Sequence, residues 1–299
     1  MFVCLFVGLV GGFQQARQHG PLFIETRLER LACPCQFFVA LVVGQCGVGE
    51  LAVFLLEEGA DPNTAGAGYT AMHAAILHKD SSLVGALLAY GADPNARVAR
   101  STPVRRDSVD YYLHPSYVGA TPFWLAARFS APAIMRVLVK HGADPLLAHR
   151  PVYWEGRLAE SDDRAEVHEG DTTAVMAAAG LGGRAPLVAV DRLNRIAESA
   201  PVRSTRREPD PVDREAVTLE AVQVAAELGV DVNSANAVGA TALHAVAARG
   251  YDSVISYLVA QGARLDLTNQ DNQTPLDLAR ASRAGDSTVE LLQRLGAGE

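Results

Sequence analysis

Two histidines, His73 and His244, each stand fourth in a Thr-x-x-His motif (TAMH at 70–73, TALH at 241–244), and a repeated imidazole is the first candidate for acid–base chemistry. No carboxylate or nucleophile is tied to them by motif, so no Ser/His/Asp or Cys/His set is defined. His141, His149 and His168 are not at a metal spacing on one element, and there is no His-Glu-x-x-His motif. Cys4, Cys33, Cys35 and Cys46 all lie in the first 46 of 299 residues, which is neither a disulfide framework nor a zinc spacing. Gly66-x-Gly68 and Gly180-x-Gly182-Gly183 are glycine loops with no strand signal before them, which leaves no dinucleotide site. The sequence therefore assigns no catalytic residue, no cofactor and no metal. What keeps chemical character is aromatic: Tyr111, Tyr112, His114, Tyr117, Trp124, Tyr153 and Trp154 cluster in a chain only 6% aromatic. Tyr and Trp join a large apolar area to a polar tip, the combination that anchors interfaces.

The elements that must hold these side chains follow from composition and period. Hydrophobic residues make up 49% and charged ones 20%, ordinary for a globular chain, and the shortage of rings predicts a core of Leu, Val and Ala. A net charge of −8 gives no electrostatic case for binding nucleic acid. Residues 1–10 (MFVCLFVGLV) are apolar but too short to span a bilayer, which takes about 20 residues. They also lack the basic start of an export signal. Residues 1–37 thus read as an atypical apolar segment, a misplaced start or a degenerate export signal. No compartment is fixed: cytoplasm is the default and export to the periplasm the alternative.

From there the chain repeats. LLEEGADPN (55–63), LLAYGADPN (87–95), LVKHGADPL (138–146), AAELGVDVN (225–233) and LVAQGARLD (258–266) match one another. Between them run TAMHAA (70–75), TPFWLAA (121–127), TTAVMAAA (172–179), TALHAVAA (241–248) and TPLDLA (274–279). Thr to Gly is 21 residues in three cases and Gly to the next Thr is 12 in two, a period of 33. Thr is a good helix N-cap and Pro suits the first helical position, as in Thr121-Pro122 and Thr274-Pro275. The Ala-rich run predicts a slim first helix. Pairs such as Leu83/Val84 with Leu87/Leu88, and Ile134 with Val137/Leu138, predict an amphipathic second one. Gly ends it in a left-handed cap, and Ala-Asp-Pro-Asn supplies the turn. One such unit leaves its apolar face open, so units must stack.

T-P-L-H-x-A with Gly-Ala-Asp-x-Asn at a 33-residue period resembles the ankyrin repeat over about 38–299. The spacing of its insertions is similar to that of a group of bacterial ankyrin proteins. The resemblance implies an α-solenoid of about six helix-turn-helix units joined by β-hairpin fingers, two of them elongated. It also implies that His73 and His244 belong to a structural hydrogen-bond network, and that fingers and first helices line a concave, partner-holding face.

Insertions interrupt the period at about 97–117, 147–170 and 181–215. The first two enlarge adjacent fingers and carry the scarce aromatics. Arg97, Arg100, Arg105 and Arg106 outnumber acids in the first, whereas 155–171 holds seven acids against Arg157 and Arg164. The third splits one unit between its helices, with an amphipathic pattern at 185–199 and a loop at 201–211. The expected function is a non-enzymatic scaffold that binds an unknown protein or peptide through the concave face and the two long fingers. The alternative is a small-molecule or hydrolytic site between the fingers, around Tyr112, His114, Trp154 and His168.

Overall fold

Thr at each start and Gly at each stop do what their chemistry dictates, and the repeat becomes pairs of short helices. The computed structural model describes residues 49–101, 113, 115–150, 170–182, 211–282 and 285–298, all within one unit of the chain, Phe37–Glu299. Helix α1 is Gly49–Glu57. Four helix pairs follow: α2 (Ala71–Leu77) with α3 (Ser81–Ala89), α4 (Pro122–Arg128) with α5 (Pro132–Lys140), α6 (Ala174–Ala178) with α7 (Pro211–Glu227), and α8 (Ala242–Ala247) with α9 (Asp252–Ala260). The last pair is α10 (Pro275–Ala281) with α11 (Asp286–Arg294). We number the units 1 to 6 accordingly, unit 1 being α1.

Helices of five to seven residues are far below the length that stands alone in water, so packing must hold them. The first helices stack as α2, α4, α6, α8 and α10, and the second helices as α1, α3, α5, α7, α9 and α11. This is a helical repeat solenoid, with each unit resting on its neighbours. Its core is Leu, Val and Ala, as composition requires: Leu83, Val84, Leu87, Leu88, Ile134 and Leu138 are buried on the second helices. Every residue of α4, α6 and α8 is buried.

The caps are regular. Thr121, Thr173 and Thr274 accept the third backbone N–H of their helices, and Thr70 and Thr241 form capping boxes with His73 and His244. At the other end Gly142 has φ +90, and its N–H and that of Ala143 reach back to the Val139 and Leu138 carbonyls, a Schellman closure.

Two kinds of bond cross from unit to unit. The first uses the third residue after the cap. His73 Nδ1 accepts the Thr70 N–H at 3.1 Å, so Nε2 carries the proton and donates to the Ala96 carbonyl at 3.0 Å. His244 does the same between Thr241 and the Gln273 carbonyl, at 3.2 and 3.1 Å. The second uses the Asn of the turn. Asn95 donates to the Gly142 carbonyl at 3.1 Å and accepts the Asp144 N–H at 2.8 Å, and Asn63 and Asn233 do likewise toward Gly91/Asp93 and Gly262/Arg264.

Among the described residues there are no strands, only isolated bridges at His149↔Thr172 and Ala235↔Thr241. Helix α7 begins at Pro211, a residue suited to a first helical turn and the last of the stretch expected as a loop at 201–211. The amphipathic stretch 185–199 lies outside the described residues, as do residues 1–48.

Candidate functional site: the roots of two long connections

The two long connections leave the stack from built roots. In the first, Val98 N–H donates to the Ala120 carbonyl at 3.0 Å, Gly119 N–H to the Val98 carbonyl at 2.7 Å, and Arg97 Nη1 to the Gly119 carbonyl at 2.8 Å. In the second, His149 and Thr172 exchange both backbone bonds at 2.9 Å, and Arg150 grips Asp171 through two bonds of 2.7 Å. That fork holds the Asp171 carboxyl below the usual carboxylate range, through the Arg150 hydrogen bond.

One side chain joins the roots. His149 belongs to the second and donates from Nε2 to the Val118 carbonyl of the first, at 3.1 Å. Its ring lies 4.3 Å from that of Trp124, tilted by 39°. Desolvation pushes its pKa down to about 4, with the charge of Arg97 acting in the same direction. Nδ1 of His149 and Oγ1 of Thr172 are buried without a hydrogen-bond partner.

Beneath the roots sit the rings that sequence offered to a partner. Trp124 is 0% exposed and Tyr117 2%. Tyr117 lies 6.2 Å from Trp124 and meets Phe129 edge-on at 5.7 Å. Trp124 Nε1 donates to the Thr172 carbonyl at 3.1 Å, so the indole makes in unit 3 the bond that imidazole makes in units 2 and 5. Both residues therefore fasten the connections to the stack and offer no surface. Leu113, at the far end of the first connection, is likewise buried, at 1% exposed. Tyr111, Tyr112, His114, Tyr153 and Trp154 lie outside the described residues, and so does His168.

Sequence inspection did not single out His149 as a link or Leu113 as core. A signal did exist for Trp124, which stands third after Thr121 just as His73 and His244 stand third after Thr70 and Thr241. Among the described residues no group of three His, Cys, Asp or Glu could hold a metal ion, and no helix is long and apolar enough to cross a membrane.

Comparison with known proteins agrees with this architecture. A model of ankyrin repeats in three copies matches residues 215–298, and a single-repeat model matches 67–98 and 118–150. The chain is 37% identical over 60 residues to human protein phosphatase 1 regulatory subunit 27, and 35% identical over 60 residues to the mouse protein. It is 46% identical over 57 residues to the fly transient receptor potential cation channel subfamily A member 1. These alignments cover about a fifth of this chain, 39% of each regulatory subunit and 5% of the channel, so the likeness is one of repeats. With matched segments, 33-residue period, capped helix pairs and inter-unit bonds in one register, the chain belongs to the ankyrin-repeat family.

Proposed function

We propose that the chain is a non-catalytic protein-binding scaffold that holds a protein or peptide along the edge where its two long connections leave the stack. The observation that carries this reading is the His149–Val118 bond, which joins the roots of the two long connections. The first helices contribute little surface of their own, since every residue of α4, α6 and α8 is buried. Contact chemistry thus passes to the connections, where Tyr111, Tyr112, His114, Tyr153 and Trp154 are the candidates. The concave face takes part through those segments. Two of the relatives are named as regulatory subunits of a phosphatase, a role that consists of acting with another protein, and the shared repeats fit a role of that kind here.

The test spares the core. Removing all of 100–115 would take Leu113 with it, so residues 102–112 are replaced by a Gly/Ser segment of equal length. Folding should persist by circular dichroism, while the proteins captured with the unaltered chain from its own cells should be lost. An unchanged set of captured proteins would falsify the assignment.

A further inference from the structure

Unit 4 departs from the others. Its first helix, α6, has only five residues, Ala174–Ala178, and its second, α7, begins at Pro211. Met176 stands where His73, Trp124 and His244 make their ring bonds, and a thioether offers no comparable donor. Toward unit 3 the turn asparagine is missing as well: Leu146 takes the place of Asn63, Asn95 and Asn233 and lies 62% exposed.

Arginines stand in for these bonds. From unit 3, Arg128 Nε donates to the Gly182 carbonyl at 3.2 Å. From unit 5, Arg249 Nη1 donates to the Ala179 carbonyl at 2.7 Å and to its own helix at Ala245, 3.0 Å, while Nη2 reaches the Gly180 carbonyl at 3.2 Å. The last carbonyls of a helix lack intrahelical partners and carry the negative end of its dipole, so Arg249 caps α6 at its C-cap residue, Ala179, and at Gly180, while Arg128 holds the chain just beyond at Gly182. A five-residue helix gains most from such help.

We propose that unit 4 opens as a unit of its own, before units 3 and 5 unfold, and that Arg128 and Arg249 are positioning residues that set how often it does so. The N-terminus of α6 is capped from within by Thr173, whereas the carbonyls that follow its C-terminus, at Ala179, Gly180 and Gly182, are held by those two side chains, so the persistence of that end depends on them. The Leu146 turn adds no amide bond across the seam with unit 3.

Native-state hydrogen exchange of the full chain in rising urea, read by mass spectrometry, tests this. Amides of 177–181 should exchange through an opening with a weaker urea dependence than those of α4 and α8. Arg249→Ala should speed that exchange about tenfold and leave α4 unchanged. Arg249→Lys, which keeps the charge but loses the planar fork, should fall between the two and gives a readout should the alanine variant fail to fold. Leu146→Asn, able to reach Gly229 and Asp231 as its counterparts reach theirs, should slow the opening about tenfold. If 177–181 follow the same urea dependence as α4 and α8, or if neither Arg249 variant nor Leu146→Asn changes their rate, the proposal is overturned.

Discussion

His73, His149 and His244 each commit a ring nitrogen to a backbone carbonyl, and burial pushes every one of them below the ordinary histidine range, His73 and His149 to about 4. A neutral imidazole in the native state binds fewer protons than the same group in the unfolded chain. The histidine contribution to stability is therefore complete above about pH 6.5, falls as pH drops toward 4, and levels off below that. Each of His73 and His149 contributes a loss on the order of 1 kcal/mol per pH unit in that window. His149→Asn separates the two contributions, since Asn236 and Asn269 occupy the same place in later turns and bond the backbone there at 2.8 and 2.9 Å. Urea midpoints at pH 7, 5.5 and 4.5 should fall less steeply in that variant than in the unaltered chain. Parallel slopes would show that His149 does not titrate with folding. Much of this scale was legible beforehand: the resemblance to the ankyrin repeat implies that the fourth-position histidines belong to a structural network. Trp124 was harder to place, because its position beside an insertion suggested surface, whereas its register with those histidines required burial.

Helices begin and end where Thr, Pro and Gly put them, so the pairs could be written down from sequence alone. What sequence left open is which ends are closed by distant groups. Gly142 and Gly182 make the distinction measurable. Both have positive φ, +90 and +80, yet a Cβ on Gly142 would meet nothing within 4 Å. On Gly182 it would come within 2.5 Å of Trp124 Cζ2 and 2.6 Å of Thr172 Oγ1. Gly142→Ala should cost only the left-handed conformation, about 1–2 kcal/mol. Gly182→Ala adds an overpacking term of about 1–3 kcal/mol and strains the carbonyl that Arg128 holds. Thermal unfolding should therefore drop further for Gly182→Ala. Equal drops would mean that the contact between Gly182 and the indole relaxes without cost. No spacing rule joins residue 124 to 182 or 249 to 179, since the insertion at about 147–170 breaks the period between the first pair and the split within unit 4 breaks it between the second.

Stacking makes stability a sum of neighbouring interfaces rather than of one shared core. The split in unit 4 and the two long connections are tolerated for that reason, as each leaves the adjoining helix faces in contact. The last described pair illustrates the same logic. Leu276, Ala279 and Leu292 are buried against unit 5, while Asp286, Ser287, Glu290, Gln293 and Arg294 are exposed. Ending the chain at Ala263 removes that polar outer layer and leaves Leu243, Val254, Ile255 and Leu258 with no unit beyond them, although all four are nearly fully buried in the intact chain. Each large side chain returned to water forfeits about 1.5–3 kcal/mol. Units 2 to 5 should nevertheless keep their helices, because α2 to α9 find partners among themselves. The shortened chain is expected to hold a circular dichroism signal scaled to its remaining helices, to unfold at lower temperature, and to bind a hydrophobic dye at the new face. Collapse of the whole helical signal would mean that the units do not fold additively. An unchanged unfolding temperature would mean that α10 and α11 do not support unit 5 at all.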